Sequence, residues 1–363
     1  MATEGYPAVS VVIPCRNERH YISACLDSLL GSDYPREKLE LVVADGMSND
    51  GTREVVAAYA ERHPNVKLVD NPRGITPAGM NRGIEQSTGQ VVAIVGAHTV
   101  FDRSYITECV KHLEIYSADE VGGIAIPMPR ENTLFGHAIV ASWCHRFGSG
   151  ADIPHKIGVS EPKWAHTVFS GCFRRSVFER IGYFNEELTH SQDSEFNRRL
   201  TAAGGRILII PHVAVRYVSR SDISSFAKHS FRNGVWATLP LAYTDVLPVR
   251  WVHLVPLAFV SALLGSSLLG IWKRPFLWAG VALAGCYVLA NLAASIDIAF
   301  RKRDWRFSAA MPPVFSILHL GYGFGSLWGL LKALTKPRIW RRAFRLASSE
   351  PPLSVADRLD RAG

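Results

Sequence analysis

None of the six cysteines (15, 25, 109, 144, 172 and 286) forms a Cys-x-x-Cys pair, so the chain offers no cysteine redox or metal motif, and reduced, mostly structural thiols are expected. No basic n-region followed by an apolar h-region opens the sequence. No signal peptide is therefore read there, and residues 1 to 249 are expected in the cytosol. Acidic residues are scarce in one place. Between 250 and 346 there are 13 Lys or Arg against 2 Asp or Glu, whereas residues 1 to 249 carry 25 against 27 and the tail 2 against 3. The net charge of +8 is thus a local excess beside apolar segments, which speaks for a membrane and against nucleic acid as partner.

Those apolar segments are 251–272, 275–300 and 307–331, each reaching the roughly 20 residues that cross a bilayer as a helix. They imply a multi-pass protein of the cell (inner or plasma) membrane. Arg301 to Arg306 and Lys332 to Arg345 are its strongest basic clusters. Three crossings, the preferred reading, would put the two clusters on opposite faces, against the positive-inside tendency. Pro312-Pro313 and the glycines 321, 323 and 325 leave open a re-entrant or interfacial third segment with both clusters in the cytosol. The Ser-, Pro- and charge-rich tail from Ala347 is expected to be disordered.

The first 249 residues read as repeating strand and helix. VSVVIP (9–14), LELVVA (39–44), Val66 to Val69 and QVVAIV (90–95) are apolar runs, each followed by polar turn residues and helical spacing. Thr76-Pro77 reads as a cap with proline at the first helical position. Such alternation implies a mostly parallel sheet, in which ligands gather beyond the carboxyl ends of strands. Pro14 to Glu18, Asp45 and Gly96-Ala97-His98 follow strands directly, so they should meet at one rim. Asp45 can accept from a base N–H or ribose hydroxyls, with the glycine-rich loop from Gly46 leaving room for a flat ring. It can equally be a strand-ending turn acid. Further on, RILII and AVRYV suggest two short strands.

The densest chemistry lies in 164–204. A helix over 192–203, capped by Ser191 and stopped by Gly204-Gly205, would carry Asp193 and Glu195 in its first turn, where the helix dipole keeps a carboxylate ionised. An ionised carboxylate at a cleft rim can take a proton from a hydroxyl nucleophile. Plain capping chemistry is the competing account. Residues 129–165, with Trp143, His145, Arg146, Gly148-Ser149-Gly150 and Trp164, show weak periodicity and read as a flap on the acceptor side. Trp164 and Gln192 are the candidate acceptor contacts, and His166 and His190 read as solvated loop residues. ISSFAKHSFRNGVWATLPLAY (223–243) reads as an amphipathic helix at a bilayer surface, with Phe226, Phe231, Val235 and Leu239 in one stripe and Lys228 and Arg232 at its edges.

VSVVIPCRNE, LVVADGMSNDGT, NPRGITPAGMNRGI and FSGCFRRSVFERIGYFNEEL with SQDSEFNRRL resemble the family 2 glycosyltransferases of GT-A fold. More narrowly, they resemble bacterial membrane glucosyltransferases of the succinoglycan-biosynthesis type, over about residues 8 to 240. The resemblance implies an α/β, Rossmann-like mixed sheet followed by transmembrane helices. It also implies that Pro14, Arg16 and Glu18 line the nucleotide site, that Asp45 contacts uracil, and that Asp193 is the base in an inverting transfer from a nucleotide sugar. Arg232 and Trp236 match a spacing that, in related membrane enzymes, sits by the diphosphate and the acceptor. One departure stands out. Where the family usually carries Asp-x-Asp for ribose and a divalent metal, this chain has Gly96-Ala97-His98. A Mn²⁺ or Mg²⁺ ion held through His98, a metal-independent site using Arg or Lys, and a catalytically dead relative all remain open.

The expected layout is a cytosolic catalytic domain over 1–222, an interfacial helix and linker over 223–249, a membrane region over 250–335 and a tail over 336–363. The expected activity is transfer of a hexose, glucose foremost, from a UDP-sugar to a membrane-held, polyprenyl-diphosphate-linked glycan in extracellular or capsular polysaccharide synthesis, with other assembly proteins as possible partners. A processive polysaccharide synthase and a non-catalytic subunit are the rivals.

Overall fold

The structure, a computed structural model, describes residues 5–149, 159–219, 221–244, 249–337 and 339. Its first half follows the alternation in the sequence. Strands Val9–Cys15 (β1), Leu39–Asp45 (β2), Val66–Asp70 (β3) and Val91–Ile94 (β4) are parallel in the order β3-β2-β1-β4, separated by helices Ile22–Leu30 (α1), Thr52–Arg62 (α2) and Thr76–Glu85 (α3). Alternate strand residues serve opposite faces. Val11, Ile13 and Ala93 join the apolar layer of α1 and α2, while Val12, Val92 and Ile94 join Met80 and Ile84 of α3. With both faces covered, neither side of a strand needs a polar row, hence the largely apolar runs VSVVIP and LELVVA, whose polar members Ser10 and Glu40 bond each other. Helix α3 starts at Thr76 itself, with Ile75 in the cap position.

The second half extends the sheet with strands of both directions. Thr99–Phe101 (β5) and helix Tyr105–Ile115 (α4) lead to Glu120–Pro129 (β6). Helices Leu134–Cys144 (α5) and Arg146–Ser149 (α6) precede Lys163–Ala165 (β7) and Phe169–Arg174 (β8). Ser176–Ile181 (α7), Gln192–Ala202 (α8) and Ile207–Ser219 (β9) complete the unit. Beyond β4 the order is β8-β6-β9-β5, with β7 on β9; β8 is antiparallel to β4 and β6, and β9 is parallel to β6. The result is a GT-A-like mixed sheet. RILII and AVRYV, expected as two strands, are halves of β9, offset by a register shift opposite Gly122 and Ile124.

The expected flap is largely regular structure. Its core is α5, held at its start by Thr133, whose side chain accepts from Gly136 N. Ala138, Ile139 and Ala141 of α5 pack with Phe226 and with residues of the C-terminal helices. Periodicity was weak there because α5 is apolar on more than one side. Residues 150–158 of that segment and the tail from Ala347 lie outside the described residues.

Helix Ile223–Thr238 (α9) is capped by Asp222, which accepts from Ser225 N at 2.7 Å. It is followed by Val255–Gly270 (α10), Arg274–Lys302 (α11) and Arg306–Leu334 (α12). Among the described residues three segments are long and apolar enough to cross a membrane: Trp251–Gly270 (20 residues), α11 (29) and α12 (29). At 1.5 Å per residue each reaches about 30 Å or more, the thickness of a bilayer's hydrocarbon core. Trp272, Trp278 and Leu289 are exposed around α10 and α11, as a lipid-facing surface would have them. Helix α12 runs unbroken through Pro312-Pro313, and Asn291 of α11 donates to Pro312 O at 3.1 Å.

The contact face of α9 differs from the expected stripe. Phe231 is exposed, and the buried face is Phe226, Ser230, Gly234, Ala237 and Thr238. These small residues meet small residues of α12. A Cβ on Gly234 would overlap Tyr322 O, and one on Gly325 would overlap Phe231 O. Two backbones approach so closely only where side chains are missing. Among the described residues no disulfide joins any of the six cysteines.

Candidate active site

A cavity of about 350 Å³ opens at the carboxyl ends of β1 and β4 and reaches down between β6, β8 and α8. Pro14, Arg16 and Glu18 form its wall after β1, Gly96 and His98 its wall after β4, and Gln192 and Asp193 its side on α8. The carboxyl-end rule and the acid-bearing helix, read from the sequence separately, thus point into one space. Asp45, Gly46, Glu195, Trp164, Arg232 and Trp236 are not among its lining residues.

Each of these six has a physical reason to be elsewhere. Asp45 is fully buried and its oxygens are taken: they accept from Ser48 N at 2.9 Å, Ser48 Oγ, Arg53 Nη1 at 2.8 Å and the Cys15 thiol at 3.6 Å. Burial works to raise this carboxyl, and the Ser48 and Arg53 bonds together hold it below the usual range. It shapes the 46–51 loop from behind the rim. Gly46, whose N donates to Cys15 O at 2.8 Å, ties that loop to β1. Glu195, 2 % exposed, is chelated by Arg199 through Nε at 2.8 Å and Nη2 at 3.1 Å. Arg199 also donates to Ile181 O and Tyr183 O, so this pair fastens α8 to α7. Trp164, 46 % exposed on β7, has the Arg206 guanidinium 4.9 Å over its ring. Arg232 is exposed on α9. Trp236 reaches the α8 entry indirectly, stacking on His190 with ring centroids 5.6 Å apart.

Asp193 is open to solvent at the cavity, and Ser194 N donates to its Oδ1 at 2.8 Å. The surrounding protein displaces enough water to hold its carboxyl above the ordinary range, against the pull of the Ser194 bond. The expected Ser191 cap takes another form. Ser191 has φ 61°, and its side chain makes no capping bond, because such a bond needs an extended backbone. Asn17 (φ 57°) and Ser170 (φ 55°) are likewise left-handed beside the cavity. Non-glycine residues in that region cost on the order of 1 kcal/mol each and cluster where a site over-determines them.

His98 Nδ1 lies 3.1 Å from Glu18 Oε1. Among the described residues no three His, Cys, Asp or Glu side chains gather as a metal cage. A two-ligand set fits a cation that completes its shell with diphosphate oxygens and water, the habit of Mg²⁺ and its kin at phosphates.

Sequence reasoning missed the cavity's floor. Glu120, at the start of β6, is 1 % exposed and lines the cavity. Burial drives its carboxyl well above the normal range, the negative charge of Asp193 adds to that, and a bond from Asn197 opposes it. Asn197, one helical turn after Asp193, also donates to Thr167 Oγ1 at 3.1 Å. The only local signal was an acid opening the apolar run EVGGIAI.

Residues 10–182 match the family model described as glycosyl transferase family 2. The chain carries a family 2 glycosyltransferase domain. Two relatives extend the likeness. One is the dolichyl N-acetyl-alpha-D-glucosaminyl phosphate 3-beta-D-2,3-diacetamido-2,3-dideoxy-beta-D-glucuronosyltransferase of Methanococcus voltae, 26% identical over 89% of this chain and 97% of that protein. The other is the succinoglycan biosynthesis protein ExoA of Rhizobium meliloti, 29% identical over 72% of this chain and 84% of that protein. Among solved structures, the mannosyltransferase PcManGT from Pyrobaculum calidifontis, in complex with GDP-Man and Mn²⁺, superposes with a TM-score of 0.55 at 22% identity, covering 90% of this chain and 88% of that one. At that identity the likeness of this chain to it is one of fold.

Proposed function

We propose that this glycosyltransferase moves a hexosyl unit, glucose foremost, from a UDP-sugar to a lipid-linked glycan at the cytosolic face of the cell membrane, with inversion at the anomeric carbon. The observation that carries this reading is Asp193 in one cavity with Pro14, Arg16, Glu18 and His98. Asp193 takes the proton of the acceptor hydroxyl as its oxygen attacks C1, and the bond from C1 to the diphosphate breaks on the opposite side. Arg16, the guanidinium at the cavity, offsets charge on the leaving diphosphate. Trp236 acts from α9 by bracing the His190 loop that leads into α8. Asp45 serves the nucleotide by fixing the loop after β2. His98 with Glu18 would hold a divalent cation, which when bound neutralises the diphosphate.

Helices long and apolar enough to cross a membrane favour a lipid-linked acceptor, since holding both partners at one surface replaces a three-dimensional search. The names of the relatives, a dolichyl-phosphate sugar transferase and a succinoglycan biosynthesis protein, point the same way. Gly96 in place of an acid favours one rival, a binding-only subunit. Release of UDP from UDP-hexoses by the purified full-length protein, with and without Mn²⁺, separates the two: none under any condition removes the enzymatic reading.

A further inference from the structure

Sheet register puts Val92, Phe173, Glu120 and Ile207 in one row across β4, β8, β6 and β9. Val92, Phe173 and Ile207 belong to the apolar layer under α3, α7 and α8, so the pattern calls for a hydrophobe where Glu120 stands. Room for its carboxyl comes from Gly171 on the neighbouring strand, where a Cβ would overlap Glu120 Oε1. Glu120 Oε2 is buried with no partner among the described residues, and so are Asn71 Oδ1 and Gln192 Oε1. All three residues line the same cavity. An acceptor buried without a partner costs about 1 to 3 kcal/mol. Three such atoms in one cavity fit a ligand rich in O–H or N–H donors.

Charge divides the cavity. Its guanidinium, Arg16, and its imidazole, His98, stand on the walls after β1 and β4, where Arg16 donates to Gly74 O and His98 Nδ1 meets Glu18 Oε1. The end formed by Glu120, Gly171, Gln192, Asp193 and Asn197 holds two carboxyls and two amides but no cation. A sugar carboxylate entering there would be desolvated with no counter-charge, which is costly. A ring hydroxyl would give Glu120 the partner it lacks.

We propose that Glu120 is a specificity residue for the donor sugar, bonding a ring hydroxyl and, with Asp193, turning away sugars that carry a carboxylate, so that the transferred unit is an uncharged polyhydroxyl ring. This rests on the nucleotide-sugar reading of the cavity. Burial drives the Glu120 carboxyl well above its ordinary range, and its protonated form can donate to the ring as well as accept from it.

The test is calorimetric titration of the full-length protein in detergent with UDP, UDP-glucose and UDP-glucuronate, the last two differing only at C6. If GDP binds in place of UDP, GDP-mannose and GDP-mannuronate are used. Wild type should bind the neutral sugar nucleotide about tenfold or more tighter than the acidic one. Glu120→Ala should weaken the neutral sugar nucleotide about tenfold and leave the bare nucleotide unchanged, and Glu120→Gln should retain most of the affinity. Equal binding of the two sugars, or a Glu120→Ala loss that is absent or equal for bare and sugar-bearing nucleotide, overturns the proposal while leaving the glycosyltransferase reading in place. Failure of either nucleotide to bind overturns both.

Discussion

Asn197 and Asp193 stand one turn apart on α8 and act on the Glu120 carboxyl in opposite senses: the Asn197 amide pulls it down, and the Asp193 charge adds to the rise that burial causes. The proposed base therefore works above a second, buried acid. Burial raises both carboxyls, the Asp193 charge adds to the rise at Glu120, and the consequences can be measured.

Asp193→Asn should lower turnover by about 10²- to 10⁴-fold, the usual worth of a positioned base, while nucleotide affinity stays nearly unchanged. In wild type, activity should fall as pH drops through the raised Asp193 value, since the base must be ionised. That acid limb should lie above the roughly 3.9 of an ordinary aspartate. UDP release followed against pH checks it, and full activity in the Asn variant would remove Asp193 from the mechanism.

Glu120→Gln should change how stability depends on pH. The unfolded chain loses the Glu120 proton near pH 4.3, whereas the folded chain keeps it to higher pH. Between those values the folded state binds more protons, so wild-type stability declines as pH rises. The glutamine variant lacks that decline and should gain on wild type in melting temperature between pH 4 and pH 8. A difference that stays constant over the range would show that Glu120 titrates normally.

What could be read in the sequence follows from where the information lies. Strands β1, β2 and β4 announce themselves because both faces are buried, and Asp193 because a first helical turn is a local signal. Glu120 could not be read so. Its space is supplied by Gly171, fifty-one residues later, and only the pairing of β6 with β8 brings them together. Asp45 shows the opposite difficulty: a strand-ending acid is easily spotted, but the choice between ligand and Ser48 is made by three residues of loop backbone. Helix α5 hid because burial on several sides leaves no helical period.

Gly325→Leu should part α9 from α12. A side chain there runs into the Phe231 carbonyl, and overpacking of this kind costs about 1 to 3 kcal/mol or more. Because α9 does not line the cavity, the variant should melt earlier and turn over slowly while still binding nucleotide. Gly265→Leu is the matched control, since a Cβ there meets nothing within 4 Å. Equal melting temperatures for the two variants would show that the glycine contact contributes little.

The same contact bears on how the chain enters the membrane. Helix α12 buries 33% of its most apolar window against protein, compared with 6% for each of the other two segments. Its partners include α5 and α9, which precede the membrane-length segments in the chain. A helix so covered has less need of lipid, and laying it along the cytosolic surface puts Arg303 and Lys336, one residue from each basic cluster, on one face as the positive-inside tendency prefers. We therefore expect one hairpin crossing, made by α10 and α11, with α12 at the interface. Single cysteines at 303, 336 and 273, introduced after the native six are replaced, test this with a membrane-impermeant maleimide on intact and on opened cells. Positions 303 and 336 should label only when the cytosol is opened and position 273 in intact cells. Labelling of 336 in intact cells would instead mean that all three segments cross.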